Sequence, residues 1–362
     1  MVVAVSKKVV QRQVRFFDRR WLLAAVLATA AGALCAWLQT PLPWMIGPLV
    51  MMAVCRFSGM DLAAPPGSRV LGQWIIATAL GLYFTPTVAR EVAAHWGVFV
   101  AAGLFALALA YLGAFMLWRF TDTDLTTAFL ASVPGGATEM ANLGDRFGGD
   151  VGRIALAQSL RILMVVIIVP VLITLVGARG SDAFEAVNAP VNLPMLALLM
   201  ALGALAAWVF AALRSPNAWM FGPLVVTVAL TANGVEWTAV PTILVNAAQV
   251  LIGCNLGQRF QREFLRSAPR FVAVVVVATI VILIASGAFA YALASWTGLA
   301  VASMVLATAP GGIAEMCITA KALKLGVPIV TAAHVARVVI LVMLAGPAYR
   351  LTRRLASRRS GP

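Results

Sequence analysis

The sequence predicts an all-α polytopic membrane protein of two inverted structural repeats, with about ten transmembrane helices and two broken or re-entrant Pro-Gly-Gly hairpins. Three observations lead there. Of the 362 residues 62% are hydrophobic and 11% charged, where soluble domains carry roughly a quarter charged residues. The apolar residues gather in blocks of about 17 to 25, long enough to cross roughly 30 Å of hydrocarbon as helices. The blocks also form two sets that repeat short motifs at a nearly constant offset, the mark of an internal duplication.

The chain opens on a basic leader, residues 1–20, with Lys7, Lys8, Arg12, Arg15, Arg19 and Arg20. The apolar block behind it runs on to Leu38 without a convincing cleavage site, so it reads as a first membrane helix and not a signal peptide. Lys and Arg number 27 against 13 acids, a net charge of +14, and most of these cations flank apolar blocks or sit at the termini. That distribution speaks of topology and not of nucleic-acid binding. Cys35, Cys55, Cys254 and Cys317 stand singly in apolar context, which suggests neither disulfides nor a metal.

Apolar segments of the first half fall at 21–39, 43–57, 70–84, 95–118, 124–146 and 152–177. Those of the second fall at 190–213, 217–233, 240–258, 270–294, 299–323 and 327–349. The first repeat is therefore placed at 21–180 and the second at 190–350, followed by a basic tail at 351–362. Trp44-Met45-Ile46-Gly47-Pro48-Leu49-Val50 returns 175 positions later as Trp219-Met220-Phe221-Gly222-Pro223-Leu224-Val225. At an offset of 176, Gln73 and Gly81 return as Gln249 and Gly257, and Arg161 as Arg337. At that offset Pro134-Gly135-Gly136-Ala137-Thr138-Glu139-Met140 also returns as Pro310-Gly311-Gly312-Ile313-Ala314-Glu315-Met316.

The positive-inside rule decides between parallel and inverted halves. If all twelve segments crossed, about 15 Lys and Arg would lie inside and about 10 outside, a poor bias. If the Pro-Gly-Gly segments enter and leave by one face, each half crosses five times and the count becomes about 21 to 4, with both termini cytoplasmic. The break also leaves arms of about 10 residues, near 15 Å each, which reach only the midplane. A kinked crossing helix is the alternative. Backbone freed at Gly-Gly must be buried in protein or line a wet cavity.

Glu139 and Glu315 are the acids near the centre of apolar segments, and Arg161 and Arg337 are the matching bases about ten residues into their helices. An inverted arrangement brings all four together at the membrane centre. The bland readings are that each Glu, at N3 of a second arm, caps its helix, and that each Arg sits in a buried ion pair. The sharper reading is an anion site, where second-arm N-termini and arginines face one cavity, as in broken-helix transporters. Gln73 and Gln249 read first as helix-bridging amides. Asn142 and Gln158 are candidate ligands for a coupling cation, and His334, one turn before Arg337, is either a satisfied core residue or part of a proton relay. The Trp-Met-x-Gly-Pro-Leu-Val motifs read as interfacial anchoring by Trp and close packing at Gly.

The duplicated Trp-Met-x-Gly-Pro-Leu and Pro-Gly-Gly-x-x-Glu-Met motifs resemble the AbrB duplication family of Gram-negative membrane proteins, over about residues 21–350. Members of that family carry labels as AbrB-type regulators or ammonia monooxygenases, with regulation of gene expression attached to some. The arrangement is also similar to carriers of the bile acid and arsenite transporter superfamily, by architecture alone. The residues weigh these labels. A copper or iron monooxygenase needs several His or carboxylate ligands, and this chain has 2 His. No segment outside the apolar blocks is long enough for a DNA-binding module. The chain therefore reads as neither an enzyme nor a direct binder of nucleic acid, and needs no cofactor.

The expected function is secondary transport of a small organic anion or metabolite across the inner membrane by alternating access, coupled to H⁺ or Na⁺. In that reading Glu139 and Glu315 couple or gate, Arg161 and Arg337 anchor the anion, and Gly135, Gly136, Gly311 and Gly312 present backbone at the tips. The lipid bilayer is the obligatory partner, and the same reading allows a homodimer. The alternative is a non-transporting membrane sensor that acts indirectly on gene expression.

Overall fold

The computed structural model describes residues 19–135, 137–178, 189–213, 215–259 and 268–359. Among them fifteen helices follow one another and no strand is formed. The first half contributes α1 (Arg19–Trp37), α2 (Pro43–Phe57), α3 (Ser68–Gly81), α4 (Pro86–Ala94), α5 (Trp96–Phe120), α6 (Leu125–Ser132), α7 (Ala137–Phe147) and α8 (Val151–Leu175). The second contributes α9 (Leu193–Ala212), α10 (Ala218–Ala232), α11 (Thr242–Gly257), α12 (Pro269–Thr297), α13 (Val301–Thr308), α14 (Ile313–Leu323) and α15 (Val327–Arg359).

Local signals set the helix ends. Asp124 and Asp150 cap α6 and α8 by accepting from the backbone N–H of Thr127 and Arg153, at 3.1 and 3.0 Å, and Asn192 does the same for α9. Each cap satisfies a donor that has no partner within the helix. Gly298, at φ 72°, ends α12 in the left-handed conformation that glycine adopts without steric cost.

Six helices are long and apolar enough to cross a membrane: α1, α5, α8, α9, α12 and the 327–344 stretch of α15. The protein is thus an all-helical, multi-pass membrane protein. The apolar or partly apolar helices α2, α3, α10 and α11 have 14 to 16 residues. At about 1.5 Å per residue they run roughly 21 to 24 Å, short of a full hydrocarbon thickness. They are the remaining candidates for crossings. The short helix α4 fills a stretch where the sequence shows no apolar segment.

The segments 124–146 and 299–323 are each broken in two. Pro134 and Pro310 explain the breaks, because a proline disfavours the helical conformation of the residue before it. Val133 and Ala309 are accordingly extended, at ψ 126° and 136°. The first broken segment doubles back: the N–H of Asp150, just beyond α7, donates to the Thr127 hydroxyl in the first turn of α6 at 2.8 Å.

Helices of the two halves interlock. α1 packs on α2 and α9 on α10, while α2 packs on α11, α3 on α10, α5 on α15 and α8 on α12. Glycines permit the closest of these approaches. A Cβ at Gly47 would lie 2.6 Å from the Ala31 carbonyl oxygen of α1, and one at Gly222 would meet the Ala207 backbone of α9. Position 207 follows 31 by the repeat offset of 176, so the duplicated Gly-Pro performs the same packing twice.

Candidate functional site

The site forms where the two breaks meet. In the first half, Arg161 lies eleven residues into α8 and reaches the end of α6. Its Nη1 donates to Ser132 O at 2.7 Å and its Nη2 to Gln158 Oε1 at 2.6 Å, with a longer contact to Val133 O. Gln158 in turn donates through Nε2 to Leu130 O and Val133 O, both at 2.8 Å. In the second half Arg337 donates from Nη1 to Ala309 O and from Nη2 to Gly311 O, each at 2.6 Å. His334 donates from Nε2 to Leu306 O at 2.9 Å.

These contacts share one logic. A helix that stops inside the protein leaves carbonyl oxygens without partners and a partial negative charge at its C-terminus. A guanidinium at that end supplies donors and a compensating charge. Gln158 and His334 occupy equivalent positions and bind the equivalent carbonyls of Leu130 and Leu306. Arg161 and Arg337 are 5% and 3% exposed. Their Nη donors go to backbone carbonyls and, for Arg161, also to Gln158 Oε1, and among the described residues neither forms an ion pair with Glu139 or Glu315. The structure therefore replaces the expected buried ion pairs with arginine-to-carbonyl caps.

The second arms begin at the same place. Gly312 is the N-cap of α14 and Glu315 its third residue, and the Glu315 carboxylate folds back to where a Cβ on residue 312 would stand. A side chain at residue 312 would displace the carboxylate from that position. Glu139 instead looks across to the other half and accepts the backbone N–H of Asn217, at the start of α10, at 3.2 Å. Met140 and Met316 close over Gly135 and Gly311, within 2.7 and 2.9 Å of an added Cβ. Gly136 lies outside the described residues.

Between the tips lies a cavity of about 710 Å³. Its polar wall includes both glutamates, both arginines, Gln73 and Asn142. Gly135, Gly311 and Gly312 also line it. Gln158, Gln249 and His334 do not reach the wall: the first and last are committed to α6 and α13, and Gln249 is buried in α11.

Three basic residues of the cavity are not singled out by the sequence: Arg69 at the start of α3, Arg146 near the end of α7 and Arg259 just past α11. Arg69 donates to Asn217 Oδ1 at 3.4 Å. Among the described residues the guanidinium groups of Arg146 and Arg259 have neither a hydrogen bond nor an ion pair. Five arginines thus face two glutamates, a surplus of positive charge in a largely apolar chamber walled by residues such as Phe129, Met140, Met220 and Leu256. None of the three recurs at the repeat offset, so duplication could not reveal them.

The two broken segments differ in exposure. α14 is buried from Ile313 through Ala320, whereas Asn142, Asp145, Arg146 and Phe147 of α7 are exposed. At the end of α14, Lys321 stands over the Tyr83 ring at 5.9 Å. Outside the chamber, Arg153 holds Asp122 through two contacts of 3.2 and 3.3 Å. That pairing keeps the exposed Asp122 carboxyl below its ordinary pKa.

A family model described as "Transition state regulatory protein AbrB" matches residues 44–353. A protein of Bacillus subtilis (strain 168), named "Uncharacterized protein YhjN", is 28% identical over 92% of this chain and 93% of its own length. A protein of Escherichia coli (strain K12), named "Putative regulator AbrB", is 25% identical over 94% of this chain and 99% of its own.

Proposed function

Starting from the fact that the chain belongs to the AbrB family of membrane proteins, we propose that it is a secondary transporter of a small organic anion in the inner membrane. It works by alternating access between two inverted repeats, without enzymatic chemistry. The observation that carries this reading is the cavity at the meeting of the two tips, with its five arginines and two glutamates. Unsatisfied charge in a dehydrated chamber is unfavourable, and an entering anion offsets it. Arg161 and Arg337 contribute charge from behind the tips, while the free donors of Arg146 and Arg259 offer direct contact. Glu139 and Glu315 are the groups on which a proton or Na⁺ would act.

Hydrogen bonds between distant segments support the inverted, re-entrant topology. If all twelve apolar segments crossed, Ala64 and Gln258 would lie on opposite faces, as would Arg69 and Asn217, and Thr127 and Asp150. Instead Ala64 N–H donates to Gln258 Oε1 at 2.8 Å, and the other two pairs are also bonded. Five crossings per half put each pair on a common face, which the positive-inside rule assigns to the cytoplasm. The exposure of α7 beside the burial of its counterpart α14 is what one of two access states would display.

Purified protein in proteoliposomes should accumulate small carboxylates or sulfonates against a gradient. Glu139→Gln and Glu315→Gln should lose that coupling while still yielding folded protein. The regulatory name of the Escherichia coli relative favours a second reading, a metabolite sensor in the membrane. Saturable binding of the same anions with no flux would select it.

A further inference from the structure

The repeat offset that relates the two hairpins also relates the residues at their outer ends, and there the two halves carry different chemistry. Subtracting 176 from Lys321 gives Asp145 of α7, and adding it to Tyr83 gives Arg259. In the buried hairpin the equivalent pair is in contact: the Lys321 ammonium lies over the Tyr83 ring and α14 packs on α3. In the exposed hairpin the equivalent pair is apart. Asp145 is exposed, Arg259 faces the cavity, and among the described residues neither has an ion-pair partner.

We propose that Asp145 and Arg259 form the closing latch of the open mouth, an ion pair made when α7 takes up against α11 the position that α14 now holds against α3. The inference rests on the alternating-access reading and adds the contact that ends one of its states. Opposite charges at the two positions favour closure across a wet opening, where a cation over an aromatic ring suffices for a hairpin already buried. The same guanidinium has no partner while the mouth is open, so it is free for an entering anion, and Asp145 takes it over as the mouth shuts. Arg69 and Arg146, also on the cavity wall, are basic and do not compete with Asp145 for Arg259. Glu139 and Glu315 are the acids that share the cavity with Arg259; Glu139 is engaged by the Asn217 N–H and Glu315 folds back on Gly312, and among the described residues neither forms an ion pair with Arg259.

The test uses the full chain in lipid nanodiscs with spin labels at Asn142→Cys on α7 and Ser58→Cys at the exposed end of α2, in a background with Cys35 and Cys55 changed to Ser. Pulsed electron spin resonance should show a long and a short distance. Asp145→Lys and Arg259→Glu should each lower the short-distance population, by about two- to five-fold for a solvent-exposed pair. The swapped pair, Asp145→Arg with Arg259→Asp, should restore it. An unchanged distribution in both single variants, a single distance in all four proteins, or a swap that fails to restore the population would each overturn the latch. None of these outcomes bears on flux in proteoliposomes, so a failed latch and a failed carrier remain separable.

Discussion

Arg161 and Arg337 look from their positions like substrate anchors, and the structure gives them a prior task. Each ends a helix that stops inside the protein, and each uses its planar fork to hold two acceptors at once. Lysine keeps the charge but presents a single point of donors. Arg161→Lys should therefore remain charged, release Ser132 O or Gln158 Oε1, and lose roughly 1.5 to 3 kcal/mol for the charged hydrogen bond given up. A lower melting temperature for Arg161→Lys than for the parent in a detergent thermal scan checks this; equal stability would return Arg161 to a purely ligand-binding role. The arginines' importance was legible in the sequence because charge at membrane depth is rare and was duplicated. Their partners were not legible, since backbone carbonyls leave no trace in residue identity. Arg69, Arg146 and Arg259 were missed for the opposite reason. They lie at segment ends, where basic residues are the ordinary signature of membrane orientation.

At the scale of elements, the apolar blocks and the Pro-Gly-Gly breaks gave most helices their place in the sequence. The break at Pro134 produces arms of 8 and 11 residues, and the break at Pro310 gives the same lengths. The helix α4 escaped notice because nine residues with a polar face carry no hydropathy signal. The Trp-Met-x-Gly-Pro motif was read correctly at its glycine and incompletely at its tryptophan. Trp44 packs over Gly32 of α1, and Trp219 meets the Trp74 ring edge-on at 5.8 Å. The glycine makes the sharper test. A methyl group at position 222 meets the Ala207 backbone and not a flexible side chain, so α10 must move away from α9. Gly222→Ala should cost about 1 to 3 kcal/mol. A melting point unchanged from the parent would mean the two helices part easily.

At the scale of the molecule the duplication was visible in the sequence, while the way its halves embrace was not. Motifs at a fixed offset reveal equivalence but not which copy packs on which. The pairing of α2 with α11 and α3 with α10 across the halves had to come from the structure. Orientation can be measured directly. Single cysteines at Glu236 and at Ser58, both exposed, should react with an impermeant maleimide from opposite sides: Glu236→Cys in intact spheroplasts, Ser58→Cys only after permeabilisation. Labelling of both from one side would make the halves parallel.

The cross-half pairing has a consequence for biosynthesis. α2 and α3 emerge from the ribosome without α11 and α10, the helices they will pack against, and α10 begins about 140 residues after α3 ends. At bacterial elongation rates of roughly 5 to 20 residues per second, that interval is on the order of ten seconds. Throughout it the nascent first half must wait in the bilayer with its future interface turned to lipid or to an insertase. Either half expressed alone should therefore be degraded, and the two halves synthesised as separate chains in one cell should co-purify; a half that accumulates as stable monodisperse protein by itself would show that the cross-half packing is dispensable.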